Sequence, residues 1–168
     1  MASGSFAKHA KGTAGVHWVV SQLSLRGYVA LPTTRNLKGV DVVAFNEKLS
    51  RFAFIHVKST DKPKGGWPVY TVRKEDGWEE DVRQSLVLGR QFFYVFVSLP
   101  SSQQAHPVCY VLPGAVVARM TIDGMRNWLA GNPSRRAARQ LCAWQYGGLS
   151  PKVVRKYQDK WELLKLDE

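Results

Sequence analysis

Two opposite charges stand in consecutive apolar segments of this chain. Asp41 is the first acidic residue and lies in the strand-like run 39–45, and Lys58 closes the next such run, 52–58. Burying either charge alone costs free energy unless a partner or a function compensates. A carboxylate can hold a hard divalent cation, and an ammonium group can stabilise developing negative charge. Two opposite charges in consecutive buried strands therefore suggest one shared site.

Each of these residues also has a plain structural interpretation. Asp41 alone fits a strand-end residue that a backbone turn satisfies, and Asp41 with Lys58 fits a structural ion pair. His56 alone fits a satisfied core histidine. Which interpretation holds depends on the elements that position the side chains.

Hydrophobic periodicity predicts those elements. Apolar residues recur at helical spacing from Val16 to Leu23 and predict a helix over residues 12–26, which Gly27 ends. Strands are predicted at 28–31, 39–45, 52–59, 92–99 and 108–112, with a hairpin turn at 46–50 and a second helix at 76–88. The 92–99 segment is nearly all apolar, as a central strand covered on both faces would be.

The predicted hairpin would bring the charges together. Alternate residues of a strand share a face, so His56 and Lys58 point the same way. If the strands at 39–45 and 52–59 pair in antiparallel fashion, their far ends become neighbours, and Asp41 joins the other two in a shared site.

This combination resembles the PD-(D/E)xK nuclease superfamily, which has the restriction-endonuclease-like and Holliday-junction-resolvase-like fold. The similarity is carried by Gly39-Val40-Asp41-Val42-Val43-Ala44, followed by Ile55-His56-Val57-Lys58-Ser59-Thr60. The stretch from Gly12 through Tyr28 also looks like the first helix of the resolvase-like members. The resemblance covers residues 12–99 and implies an α/β core of helix, three strands, helix and strand, with a mixed central sheet flanked by helices. Residues 113–168 would form a mostly helical, basic extension packed on that core within a single domain, 1–168.

The resemblance implies a metal-dependent endonuclease. Asp41 would coordinate Mg²⁺ or Mn²⁺, and Lys58 would orient the attacking water and stabilise the phosphate charge. The chain departs from the motif at His56, where the second acid belongs. His56 is then a candidate catalytic residue and metal ligand, although imidazole suits Mn²⁺ better than Mg²⁺.

Further site residues follow from proximity in the sequence. His17 in the first helix and Asp61 after the second strand are possible accessory groups. Glu79 and Glu80 are alternative sources of the missing carboxylate, and the sequence does not choose among them.

The charge balance points to a polyanionic partner. A formal net charge of +11 from 24 Lys and Arg against 13 Asp and Glu favours nucleic acid, with DNA as the leading candidate. The candidate phosphate contacts are Lys38, Ser59, Lys62, Lys64, Arg135, Arg136 and Arg139. The plain alternatives are a basic surface that serves solubility, and a solvated helical face at residues 135–139.

Three possibilities therefore remain open. The protein is a DNA endonuclease, a catalytically degenerate relative that binds nucleic acid or a protein without cutting, or an unrelated small α/β protein whose basic surface serves ribosome or RNA association. Cutting both strands with one site per chain would favour a homodimer. No apolar run reaches the roughly 20 residues of a membrane helix and the N-terminus lacks a signal-peptide core, so we expect a soluble, cytoplasmic protein without a membrane partner. Cys109 and Cys142 are expected to be core thiols.

Overall fold

A computed structural model of the chain describes residues 4–34, 39–62, 66–71, 77–100, 105–131, 145–146 and 149–167. The helices are α1 (Gly4–Ser24), α2 (Trp78–Leu86), α3 (Gly114–Gly131) and the short α4 (Pro151–Val154), followed by 3-10 turns at Arg155–Tyr157 and Trp161–Leu164. The strands are β1 (Val29–Pro32), β2 (Val42–Phe45), β3 (Phe52–Thr60), β4 (Tyr70–Thr71), β5 (Phe92–Ser98), β6 (Val108–Pro113) and β7 (Gln145–Tyr146).

Five of these strands form one mixed sheet in the order β1-β2-β3-β5-β6. β3 and β5 run parallel, and the other neighbours pair antiparallel. The chain crosses from β3 to β5 through α2, because parallel strands require such a crossover. Short strands β4 and β7 pair separately. The predicted α/β class with a mixed sheet and flanking helices is confirmed.

The β2–β3 hairpin is confirmed at the predicted turn. The side-chain oxygen of Asn46 accepts hydrogen bonds from the backbone N–H groups of Ser50 and Arg51, at 2.9 and 3.0 Å. Leu49 adopts a left-handed φ of 55° within the turn. This local network sets the register, in which Val42 lies opposite Ile55 and Phe45 opposite Phe52.

One face of the sheet, which we call the α1 face, packs against α1 and the C-terminal turn Trp161–Leu164. Val19 and Leu23 of α1 are fully buried against it. The strand residues on this face include Val42, Ala44, Ala53, Ile55 and Val95, which are also fully buried. This face is an apolar core layer.

The opposite face, which we call the pocket face, is covered by α2 and α3 on the side of β5 and β6. Val82 and Leu86 of α2 and Val117 and Met125 of α3 pack over this part of the sheet. β5 is buried on both faces over Phe92–Val97, as its continuous apolar sequence predicted.

Some boundaries differ from the sequence predictions. Helix α1 begins at Gly4 rather than residue 12, and Asp41 precedes β2 rather than lying within it. The α2 N-cap is Gly77, with a left-handed φ of 69°. β6 belongs to the main sheet, which therefore extends beyond the predicted 12–99 core.

Two further expectations concern the cysteines and the membrane. Cys109 is buried in β6, and burial raises the pKa of its thiol to about 12; Cys142 lies outside the described residues. In the described part of the chain, no helix combines the length and apolarity that crossing a bilayer requires.

Candidate functional site

Asp41 lies at the entry to β2 and uses both its backbone and its side chain to hold β3. Its backbone N–H donates to the carbonyl of Ile55 at 2.8 Å. Its carboxylate Oδ2 accepts the backbone N–H of Val57 at 2.7 Å. A carboxylate that accepts a backbone N–H forms a charge-assisted bond. The Asp41 side chain therefore adds one hydrogen bond to the β2–β3 pairing, just before β2 begins.

His56 lies directly beside this carboxylate. Its Nδ1 is 2.8 Å from the carbonyl oxygen of Gly39 and 3.5 Å from Oδ2 of Asp41. Because a carbonyl oxygen only accepts hydrogen bonds, Nδ1 carries the proton and Nε2 keeps its lone pair when the ring is neutral. The ring also packs edge-on against Tyr94, with centroids 5.3 Å apart.

The electrostatics favour that neutral form of His56. Burial lowers the pKa of His56 most, and the positive charge of Lys58 lowers it further. Asp41 and the Gly39 carbonyl act in the opposite direction but do not reverse the shift. At neutral pH the lowered pKa therefore favours a neutral His56 imidazole.

His56 and Lys58 line one pocket of about 280 Å³ on the pocket face. Its walls come from β3, β5, α2 and the segment that leads into β4. The other lining residues are Gly39, Pro68, Val69, Tyr70, Ser85, Leu86, Leu88, Phe92 and Tyr94. The pocket therefore combines a basic edge with apolar and aromatic walls.

These residues do not fit a divalent-metal site. Among the described residues no group of three His, Cys, Asp or Glu side chains is placed to hold a metal. Oδ2 of Asp41 accepts the Val57 N–H, and Nδ1 of His56 donates to Gly39, so two of the nearest donor atoms already have partners. Hard cations such as Mg²⁺ require more oxygen ligands than Asp41 supplies.

The alternative carboxylates have partners elsewhere. Asp61 forms an ion pair with Lys11 of α1 at 2.6 Å, and this lysine lowers its pKa. Glu79 accepts two hydrogen bonds from the Arg126 guanidinium, at 2.5 and 2.7 Å, which lowers the pKa of Glu79. Glu80 lies 3.4 Å from Arg83. The Asp61 contact joins α1 to the residue after β3, the Glu79 contact joins α2 to α3, and the Glu80 contact lies within α2.

Some of the other predicted site residues are described and the rest are not. Ser59 points to the α1 face, where its Oγ is buried against Gly15 without a hydrogen-bond partner among the described residues, so it does not share the pocket with Lys58. His17 is exposed on α1, and Lys62 is exposed after β3. Lys38, Lys64, Arg135, Arg136 and Arg139 lie outside the described residues.

Sequence reasoning missed the residues that complete the pocket. Tyr94 meets His56 through the parallel register of β3 and β5, in which these two residues are directly opposite. Gly39 contributes a carbonyl, which any residue type would offer. Neither has a local sequence signal, because a parallel pairing joins segments that are far apart in the chain.

No family model, curated protein or solved structure matches this chain.

Proposed function

We propose that the protein binds nucleic acid, with DNA as the expected polymer, and holds a phosphate group at Lys58, beside His56, without metal-dependent cleavage. One observation carries the proposal. His56 and Lys58 line the same pocket, whereas Asp41, the carboxylate beside them, accepts the Val57 N–H. Lys58 thus lines the pocket, and the Asp41 carboxylate accepts a backbone hydrogen bond.

The fold is consistent with a degenerate restriction-endonuclease-like core. The resemblance implies a core of helix, three strands, helix and strand. When short β4 is set aside, these elements correspond to α1, β1–β3, α2 and β5. Asp41 directly precedes β2 and its carboxylate bonds to Val57 of β3, the neighbour of Lys58, which is the arrangement that the resemblance implies. We infer a member whose second acid has been replaced by His56.

The overall charge supports a polyanionic ligand. A chain of 168 residues with a formal net charge of +11 attracts phosphate polymers electrostatically, over distances up to about the salt-dependent screening length. Lys58 lines this pocket and is itself half-buried, so part of its side chain is accessible to a phosphate from solvent.

Binding of labelled duplex and single-stranded DNA, measured by fluorescence anisotropy over a salt series, tests this function. Lys58→Ala should weaken binding about ten-fold and reduce the salt slope by about one, because one phosphate contact is lost. Lys160→Ala is the matched control, since that exposed lysine pairs with Glu162 in the C-terminal segment. Absence of binding to either DNA, or equal effects of the two variants, would overturn the proposal.

Metal-dependent hydrolysis is the second candidate. The observation that favours it is the position of Asp41, whose carboxylate reaches the backbone of Val57, the residue before Lys58. Supercoiled DNA should then be nicked with Mg²⁺ or Mn²⁺, and both Asp41→Asn and Lys58→Ala should abolish nicking while the folded protein persists. Nicking that chelation removes would establish the nuclease and contradict the non-cleaving function.

A further inference from the structure

We propose that an aromatic surface beside the pocket binds the unpaired bases of single-stranded nucleic acid. This inference rests on the proposed function and assigns a ligand class to the same site. The aromatic surface consists of Val29, Leu31, Phe45, Phe52 and Phe54. It continues directly into His56 and Lys58.

Strand register places all five side chains on the pocket face. Val29 lies opposite Phe45, and Phe45 lies opposite Phe52. Directly opposite residues of an antiparallel pair share a face, and residues two apart along a strand do so too. The intervening Ala44 and Ala53 are fully buried on the α1 face.

This part of the pocket face keeps its apolar side chains accessible. Val29 is 42% exposed and Leu31 is 54% exposed, and the three phenylalanines are half-buried. The rings form a continuous row, with centroids 6.4 Å apart for Phe45 and Phe52 and 5.3 Å apart for Phe52 and Phe54. Exposed apolar patches of this kind mark interaction sites.

The aromatic surface and the pocket lie along one strand. Phe52, Phe54, His56 and Lys58 occupy every second position of β3 and therefore recur at steps of about 6.7 Å on one face. That step is close to the separation of nucleotides in an extended single strand. A nucleic-acid strand lying along β3 would place bases on the phenylalanines and a phosphate at Lys58.

Charge favours nucleic acid over a second copy of the chain. Lys48 and Arg51 are exposed in the turn that leads into Phe52, so basic groups adjoin both ends of the aromatic row. Two copies with a formal charge of +11 each would repel one another. Aromatic rings with basic neighbours are the usual platform for single-stranded nucleic acid.

The β1 edge also offers little to a second sheet. Pro32 has no N–H to donate, and the N–H of Tyr28 already bonds to the Leu23 carbonyl. Pairing of two β1 edges would therefore gain few backbone hydrogen bonds. We therefore assign ligand binding to the aromatic surface rather than to the strand edge.

The experiment compares oligothymidylate, the same strand with abasic positions, and a duplex of equal length. Phe52→Leu keeps an apolar side chain but removes the ring, and should weaken oligothymidylate binding about ten-fold. The abasic strand should bind wild type about as weakly as oligothymidylate binds Phe52→Leu. Its affinity should be the same for wild type and for Phe52→Leu, since it has no base to contact the ring. Val153→Ala, at a 47% exposed apolar position in α4, is the control.

Each outcome bears on one proposal. If Phe52→Leu is less stable by thermal unfolding, Phe45→Leu provides a second variant for the same measurement. Equal binding of oligothymidylate by wild type and both variants overturns the aromatic-surface proposal, and the Lys58→Ala result still tests phosphate binding separately. A wild-type dimer in sedimentation that both variants convert to monomer, with DNA binding unchanged, assigns the surface to a second copy and also overturns it.

Discussion

The two faces of the sheet differ in what they bury and in what they expose. The α1 face is a continuous apolar layer in which Val19, Leu23, Val42 and Ile55 have no exposed surface. The pocket face carries His56 and Lys58 at the edge of the region covered by α2 and α3. Because β3 alternates between these faces, one strand contributes to the core with half its residues and to the candidate site with the other half.

Close packing makes the α1 face intolerant of change. At Gly15 an added Cβ would lie 1.7 Å from Oγ of Ser59 and 2.8 Å from its Cβ, so α1 approaches β3 only because this position lacks a side chain. The pocket face has open volume beside it and contains polar groups with specific partners. We therefore expect substitutions on the first face to change stability, and substitutions on the second to change ligand binding and pH dependence.

The largest expected loss of stability comes from a substitution that disrupts the packing of the α1 face. Gly15→Ala should lower the free energy of unfolding by about 3 kcal/mol, since α1 must shift away from Ser59. Gly12→Ala in the same helix is the control, because no atom lies within 4 Å of its added Cβ; it should raise stability by up to about 1 kcal/mol. Urea unfolding measures both. Equal stabilities for the two variants would contradict the close approach.

A smaller loss of stability is expected when the hydrogen bond between the Asp41 carboxylate and the Val57 N–H is removed. Asp41→Ala leaves the Val57 N–H without its acceptor and should cost about 1–2 kcal/mol of stability. Asp41→Asn keeps an oxygen acceptor at that position and should stay close to wild type. Chemical denaturation of the two variants distinguishes them. A large loss in Asp41→Asn would instead mean that the negative charge itself stabilises the site.

The smallest effect concerns the pH dependence of the pocket face. The pKa of His56 is lowered in the folded protein from its ordinary 6.5, so the unfolded chain binds the proton first as pH falls. The contribution of His56 to stability is therefore complete above pH 6.5 and is lost as pH falls through the lowered folded-state pKa.

Unfolding free energies measured from about pH 7.5 to pH 5.5 check this expectation. His56→Gln should remove part of the decline that wild type shows in this interval. His17→Gln, which changes an exposed histidine of α1 and leaves His56 in place, should keep the wild-type decline. An unchanged decline in His56→Gln would show that other groups account for it.

Local sequence patterns predicted the elements well where one physical cause dominates. The continuous apolar run at residues 92–99 predicted a doubly covered strand, and β5 is one. The turn at residues 46–50 was predicted from residue types that favour turns, and the Asn46 side chain does cap it. Helix α1 was predicted eight residues too short at its start, because Gly4 to Lys11 lacks the apolar periodicity on which the prediction relied.

The site was predictable in part. The alternation of β3 correctly placed His56 and Lys58 on one face, and the hairpin brought Asp41 beside His56. The hydrogen bond from Val57 to Asp41 was not predictable, since it depends on where β2 begins. Nor could the sequence reveal that Asp61 pairs with Lys11 or that Glu79 pairs with Arg126, because each pair joins separate elements.

The sequence by itself determined the order of elements, the hairpin and the excess of positive charge, because periodicity, turn chemistry and composition act locally or are simple sums. Tertiary structure decided which atoms meet. It placed Tyr94 against His56 through a parallel register, turned Ser59 towards Gly15, and gave the Asp41 carboxylate a backbone partner. These outcomes depend on distances between segments that are remote in the chain.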